Sequence, residues 1–292
     1  MNEVAFVLQK NKRILSANYV KEFEAMFACP ICHSTMKVME SKSFICSNHH
    51  TFDFTKQGYV NFMTRPVNGK YNKELFEARR NLIVDEGFFE PLNHEIADII
   101  NAYSGNTISI LDMGCGEGSH LNNISMIVNK DVVGVGIDIS KEGIKSTSKN
   151  YNDKIWAMAD LANTPFQDVT FDVILNILSP SNYTECNRLL KTNGVVIKVV
   201  PSSGYLKELR ERIFANRSYS NMNTIKRFQE NFRFVDQKRL TYTKILDKPA
   251  IEWLIQMTPM TWSKKEKVIT FLNKESVQIT IDFDILIGKN NL

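Results

Sequence analysis

The sequence predicts an α/β fold: a mostly parallel sheet covered by helices, with a small metal-binding module in front of it. Three observations carry this expectation. Residues 108–118 read I-S-I-L-D-M-G-C-G-E-G, an apolar run holding one carboxylate, followed by glycines at every second position. Residues 132–140 (V-V-G-V-G-I-D-I-S) and 154–160 (K-I-W-A-M-A-D) then supply two more apolar runs, each ending in an acidic residue. Upstream, Cys29, Cys32, Cys46 and His50 fall in the spacing C-x2-C-x13-C-x3-H.

At 292 residues the chain can hold a full α/β core and a satellite module. An apolar content of 43% and a charged content of 23% are ordinary for a globular protein, and no apolar run approaches the ~20 residues that cross a bilayer. The first dozen residues lack the apolar length and small-residue cleavage pattern of a secretory signal. A cytoplasmic protein with no membrane partner is therefore expected. The net charge of +4 says little about nucleic acid, but its distribution says more. Residues 201–248 carry 11 Lys or Arg against 5 Asp or Glu, among them Arg210, Arg212, Arg217, Lys226, Arg227, Arg233, Lys238 and Arg239. Such a run is either a solvated helical face or a surface that meets phosphates.

Residues 1–24 carry no readable motif and are set apart as an N-terminal extension. Residues 25–65 form the metal module. A C-x2-C turn points two thiolates at one centre and a second pair closes a tetrahedron, which suits a structural Zn2+ with no open position. His33 and His49 are alternative nitrogen donors to His50. The aromatic run 52–62 forms a miniature core around the ion or, through Tyr59 or Phe62, stacks on bases. A linker follows at 65–72, punctuated by Pro66 and Gly69. Residues 66–292 make up the larger domain. Helical spacing marks 73–85, with Leu75, Ala78, Leu82 and Ile83 on one face and Arg79 and Arg80 off it, and again 92–103.

Dinucleotide sites use G-x-G-x-x-G, whereas this loop is G-x-G-x-G with Ser119 where the third glycine would fall. Asp112 occupies the slot that hydrogen-bonds an amino-acid head group. The pattern D-x-G-x-G-x-G resembles motif I of the Rossmann-like class I methyltransferases, which bind S-adenosylmethionine on a mostly parallel seven-stranded sheet. In that frame Asp138 accepts from the ribose hydroxyls and Asp160 reads the adenine amino group. A fourth strand ends in N-I-L-S-P at 176–180 and a fifth spans 195–200, so both ends should border the acceptor. The fourth lacks the N-P-P-Y-like pattern of enzymes that methylate exocyclic amines. A basic helical region follows Pro201, then Q-M-T-P-M-T-W at 256–262 and a closing strand at 278–287.

Taken in order, C-P-x-C, G-Y-V-N, E-A-R-R, D-x-G-C-G-E-G and Q-M-T-P make the chain similar to the bacterial 23S ribosomal RNA guanine-N1 methyltransferases of the RlmA type. The resemblance implies zinc on Cys29, Cys32, Cys46 and His50. It implies donor contacts at Phe89, Gly114, Cys115, Gly116, Asp138 and Tyr205, to which the loop adds Asp112 and Gly118 and the third strand Asp160. It also implies a guanine in a 23S hairpin as acceptor and a pairing of copies into a homodimer; one branch of the family is associated with macrolide resistance. Candidates for RNA contact are Arg79, Arg80, Arg210, Arg212, Lys226 and Arg227. No covalent nucleophile is needed, since Cys115 and Cys186 have no supporting base, and Asn176 is the one side chain singled out to help N1 lose its proton. Two other readings are a small-molecule methyltransferase with a purely structural zinc knuckle, and an RNA-binding protein that has lost catalysis. The intact glycines with Asp112 and Asp138 speak against the last.

Overall fold

The computed structural model describes residues 3–66, 71–103, 105–214 and 219–290. The unassigned N-terminal stretch is a helix, α1 (Glu3–Glu22), whose Ala17 and Val20 are buried. Strands β1 (Met36–Met39), β2 (Ser43–Cys46) and β3 (Thr51–Asp53) follow as a small antiparallel sheet. Their alternation turns Met36, Val38, Phe44 and Phe52 inward. Tyr59 and Phe62 are buried as well, with Phe62 stacked 5.9 Å from Phe27, so the aromatic run is core and not a base-stacking platform. Phe27 also lies 5.1 Å from Phe166 of the larger domain. The module therefore does not close a core of its own; it shares one.

The large sheet is formed by β4 (Val60–Asn61), β5 (Thr107–Met113), β6 (Asp131–Asp138), β7 (Ile155–Met158), β8 (Phe171–Ile177), β9 (Leu190–Pro201), β10 (Arg233–Asp247) and β11 (Ser276–Lys289). Its order is β10-β11-β9-β8-β5-β6-β7-β4. The pairs from β4 to β9 are parallel, and β11 runs antiparallel to both of its neighbours. The expected seven strands are present, and the metal module adds β4 as an eighth at the β7 edge. Chain order reverses between β5 and β8, which opens a crevice beyond their carboxyl ends.

Helices α2 (Lys73–Arg80), α3 (Glu90–Asn101), α4 (Ser119–Ile127), α5 (Lys141–Asn150) and α6 (Tyr183–Leu189) accompany the parallel strands. Beyond Pro201 come α7 (Lys207–Ile213), α8 (Met222–Asn231), α9 (Lys248–Met257), α10 (Pro259–Trp262) and α11 (Lys265–Leu272). Two expectations are corrected. The helix expected over 73–85 stops at Arg80, and Asn81–Asp85 widen into a π turn. The basic region is not helical throughout, because Arg233, Lys238 and Arg239 belong to the edge strand β10. Fourteen residues of β10 pair with the apolar β11, and Arg239 reaches the buried Asp282 at 2.7 Å, a partner that local spacing does not reveal. Among the described residues no helix is long and apolar enough to cross a membrane.

Candidate functional site: a metal centre, a donor cradle and an acceptor cavity

The four metal candidates converge, with their ligand atoms all within 4.8 Å of one another. Cys46 Sγ lies 3.7 Å from Cys32 Sγ and 3.4 Å from His50 Nδ1, and Cys29 Sγ lies 3.5 Å from His50 Nδ1. These separations match the edges, about 3.5–3.8 Å, of a tetrahedron built on Zn–S and Zn–N bonds of about 2.3 and 2.0 Å. His33 and His49 each close a turn instead. Each is left-handed (φ 58° and 62°) and donates its backbone N–H, to Cys29 O at 2.8 Å and to Cys46 O at 2.9 Å respectively. Neither imidazole joins the converging group, in which His50 is the nitrogen donor. The Ser34 hydroxyl, 3.1 Å from Cys32 Sγ, is the main cause that lowers this thiol to about 5 and favours the thiolate a metal binds. Asn163 Nδ2 donates to Pro30 O at 2.8 Å and Gln167 Nε2 to Phe27 O at 3.0 Å, so the metal loop is tied to the loop after β7.

The donor cradle is built at the end of β5. Gly114, Gly116 and Gly118 all have positive φ (85°, 59° and 82°), and a Cβ on Gly114 would collide with the Ser179 side chain. Asp138, at the end of β6, accepts from Gly116 N at 2.8 Å and Ser140 N at 2.7 Å, holding the loop against the second strand. Asp112 is buried, and its Oδ1 has no hydrogen-bond partner. A buried acceptor of this kind requires a donor, and the α-ammonium of an amino-acid head group fits it. Burial raises the Asp112 carboxyl to about 7; Asp138 and Glu117 push the same way and Arg79 opposes. Three carboxylates, at Asp112, Glu117 and Asp138, face one cation, so the cradle favours a positively charged ligand such as a sulfonium. The ammonium needs the ionised carboxylate, and donor affinity should therefore fall about tenfold per unit as pH drops below about 7. Calorimetric titration across pH 5.5–8.5 checks this, and Asp112→Asn should bind weakly with a flat profile.

Beyond β8 and β9 lies a cavity of about 550 Å3. Its walls include Arg79, Tyr205, Arg227 and the Met257, Thr258 and Pro259 of the Q-M-T-P motif, and Lys198 lines it from β9. An apolar annex of about 450 Å3 continues past Tyr205 to Phe214 and Met260. Leu178 and Leu206, on either side of this space, are left-handed (φ 55° and 51°) although neither is glycine. Such strain, about 1–3 kcal/mol each, is concentrated at functional sites.

Residues 27–73 match the RlmA N-terminal model, and residues 110–194 match the methyltransferase-domain model. Bacillus subtilis YxjB, provisionally named a 23S rRNA (guanine-N1)-methyltransferase, is 49% identical over 273 residues, covering 90% of this chain and 97% of its own. The chain belongs to the 23S rRNA (guanine-N1)-methyltransferase family. A Streptomyces fradiae 23S rRNA (guanine(748)-N1)-methyltransferase is 28% identical over 239 residues, covering 80% of this chain and 85% of its own. The solved Bacillus subtilis YcgJ protein aligns with 68% of this chain and 99% of its own, with a TM-score of 0.48 and 17% identity.

Within this methyltransferase the expected site residues fall into three groups. Asp112, Gly114, Gly116, Gly118 and Asp138 lie together in the cradle. Asp160 is exposed at the end of β7, where Oδ1 accepts from Ala162 N at 2.9 Å, and Tyr205 lines the cavity. Cys115 is buried and its thiol pKa is driven well up by that burial, which makes it a packing residue.

The structure places the remaining candidates as follows. Phe89 has no exposed surface, and its ring packs 4.9 Å from Phe88, 5.3 Å from His120 and 5.8 Å from Phe283. Arg79 reaches inward, where its Nε pairs at 3.2 Å with the fully buried Glu117, and it lines the cavity. Asn176 cannot take a proton, because its amide donates to Met113 O and Pro180 O at 3.0 Å each, and its oxygen already accepts from Lys198 Nζ and Ser181 Oγ. The remaining basic candidates do not form one patch. Arg210 lies over the Tyr219 ring at 4.4 Å and Arg227 edges the cavity, while Arg212 sits 5.2 Å over Phe271, Lys226 is 3.9 Å from Glu230 and Arg80 borders a separate hollow beside α5. Arg217 lies outside the described residues, as do 67–70 of the expected linker. Glu117 and Lys198 were missed from the sequence, although a lysine inside V-V-I-K-V-V at 195–200 was a visible signal.

Proposed function

We propose that the protein transfers a methyl group from S-adenosylmethionine to N1 of a guanine in a hairpin of 23S ribosomal RNA. The observation that carries the reading is the unpartnered Asp112 Oδ1 in a glycine cradle whose neighbours Ser179 and Arg79 line a cavity walled by Met257, Thr258 and Pro259 of Q-M-T-P. When bound, the sulfonium supplies an electrophilic methyl group and its own leaving group. Asp112 receives the donor's ammonium, Asp138 its ribose, Asp160 its adenine, and the loop amides of Gly114–Gly118 approach its backbone. Guanine N1 lies on the Watson–Crick edge, so the target must be unpaired or turned out of its stack before it enters the cavity. A volume of about 550 Å3 is of the size usual for small-ligand sites, and it admits one base without the rest of the helix.

Residues 25–65 are assigned to gripping RNA by shape and residues 66–292 to catalysis. Action on ribosomal RNA places the protein in the cytoplasm. The unpaired outer edge of β10 supports a homodimer, which light scattering would read as a doubled mass. Arg227, exposed at the edge of the cavity, and Arg210, in its apolar annex, are assigned to phosphates. Reversing both to Glu should weaken hairpin binding about tenfold or more at low salt and flatten the log–log salt slope by about one to two. A small-molecule methyltransferase would leave both quantities unchanged. Incubation with labelled donor and unmodified 23S rRNA tests the reading directly: label belongs on guanosine, and RNA without label refutes it.

A further inference from the structure

The cavity floor carries a buried cation that donor binding does not explain. Lys198 is only 4% exposed, yet it lines the cavity. Strand register sets it directly opposite Asn176. Its Nζ donates to Asn176 Oδ1 and Ser181 Oγ, both at 2.6 Å, and makes a longer third contact, 3.3 Å, to Ser179 O. Ser181 Oγ in turn donates to Asn176 Oδ1 at 2.7 Å. The asparagine and the serine thus hold two of the three ammonium hydrogens and leave the third weakly used.

No carboxylate among the described residues pairs with this ammonium. The titratable groups around it are Cys186 and Tyr183 on α6, Arg227 on α8, Arg79 on α2, and Tyr205 and Tyr219. Burial raises Cys186 to about 12 and raises all three tyrosines, so none of the six is an anion at neutral pH. Burial also lowers Lys198 to about 8. A buried ammonium without a counter-charge is expensive, which is the pattern expected of a group placed for charge that appears only during reaction. Solvated phosphates have the exposed Arg227 and the Arg210 of the annex, whereas the buried Lys198 is withdrawn from them.

We propose that Lys198 donates its third N–H to O6 of the target guanine and stabilises the negative charge that O6 takes on when N1 is deprotonated; this rests on guanine N1 being the acceptor. The proton of N1 passes to solvent, leaving an anion shared by N1 and O6. The N1 electron pair forms the bond to the methyl carbon as the carbon–sulfur pair returns to sulfur. One positive and one negative charge disappear together, leaving 1-methylguanine and a neutral thioether.

The test uses the full chain, S-adenosylmethionine and a 23S hairpin RNA, with Lys198→Met and Lys198→Arg. Lys198→Met should bind donor and RNA within about twofold of wild type but lose kcat about a hundredfold at pH 7. Its kcat should rise about tenfold per pH unit from 7 to 9, while wild-type kcat levels off above about pH 8 as the ammonium is lost. Lys198→Arg should recover at least a tenth of the wild-type rate. Should the methionine variant fail to fold, Lys198→Gln carries the same comparison. A neutral variant within threefold of wild-type kcat, or one whose loss lies wholly in KM, overturns the role of Lys198. A wild-type enzyme that leaves guanine N1 unmethylated overturns the acceptor assignment, and the role of Lys198 with it.

Discussion

Gly114→Ala should bind S-adenosylmethionine at least a hundredfold more weakly than wild type and melt several degrees lower. Two costs act at one atom. A φ of 85° is unfavourable for any residue with a Cβ, by about 1–2 kcal/mol. The new methyl would also strike the Ser179 side chain at the end of β8, so the loop or the β8 turn has to move. The β8 turn already carries the left-handed Leu178 and has little room to adjust. Adding Ser179→Gly removes the collision but not the backbone strain; the pair should regain much of the melting temperature and only part of the donor affinity. Calorimetric titration with thermal melts separates the two, and a single variant with unchanged affinity would show that the loop does not hold the donor.

Cys29→Ser should release the zinc, about one ion per chain, and cost RNA binding more than donor binding. Cys29 is fully buried at the centre of the ligand set, and a hydroxyl is a poor substitute for thiolate toward Zn2+. Because Phe27 packs on Phe166 and the metal loop bonds to the segment after β7, the damage should reach Asp160 as a loss of a few-fold in donor affinity. Because the module and one face of the parallel sheet share a core, calorimetry should show a single transition at a lower temperature. Elemental analysis checks the metal; unchanged zinc content would contradict the ligand assignment.

What the sequence revealed and what it hid follow from the range of the interactions involved. The glycine loop, the acidic strand ends and the Cys/His spacing are local patterns, so their chemistry is readable without a fold. The choice of His50 over its neighbour His49 rests on which imidazole converges with the three sulfurs, which spacing leaves open. Arg79 looked like an exposed helical cation because its partner Glu117 is 38 positions away. The β10 strand reads as part of a basic helical region because Lys and Arg interrupt its alternation, and the Asp282 that compensates Arg239 lies on the following strand. Asn176 and Lys198 exchanged importance for the same reason: only the β8–β9 register reveals that one is saturated and serves to hold the other.

The most direct measurement is the identity of the product nucleoside. Unmodified 23S hairpin RNA is treated with the protein and S-adenosylmethionine, digested, and read by mass spectrometry against methylguanosine standards. The account predicts 1-methylguanosine, formed by wild type and lost with Gly114→Ala. A methyl group on guanine N7, on the exocyclic amine or on another base would contradict it.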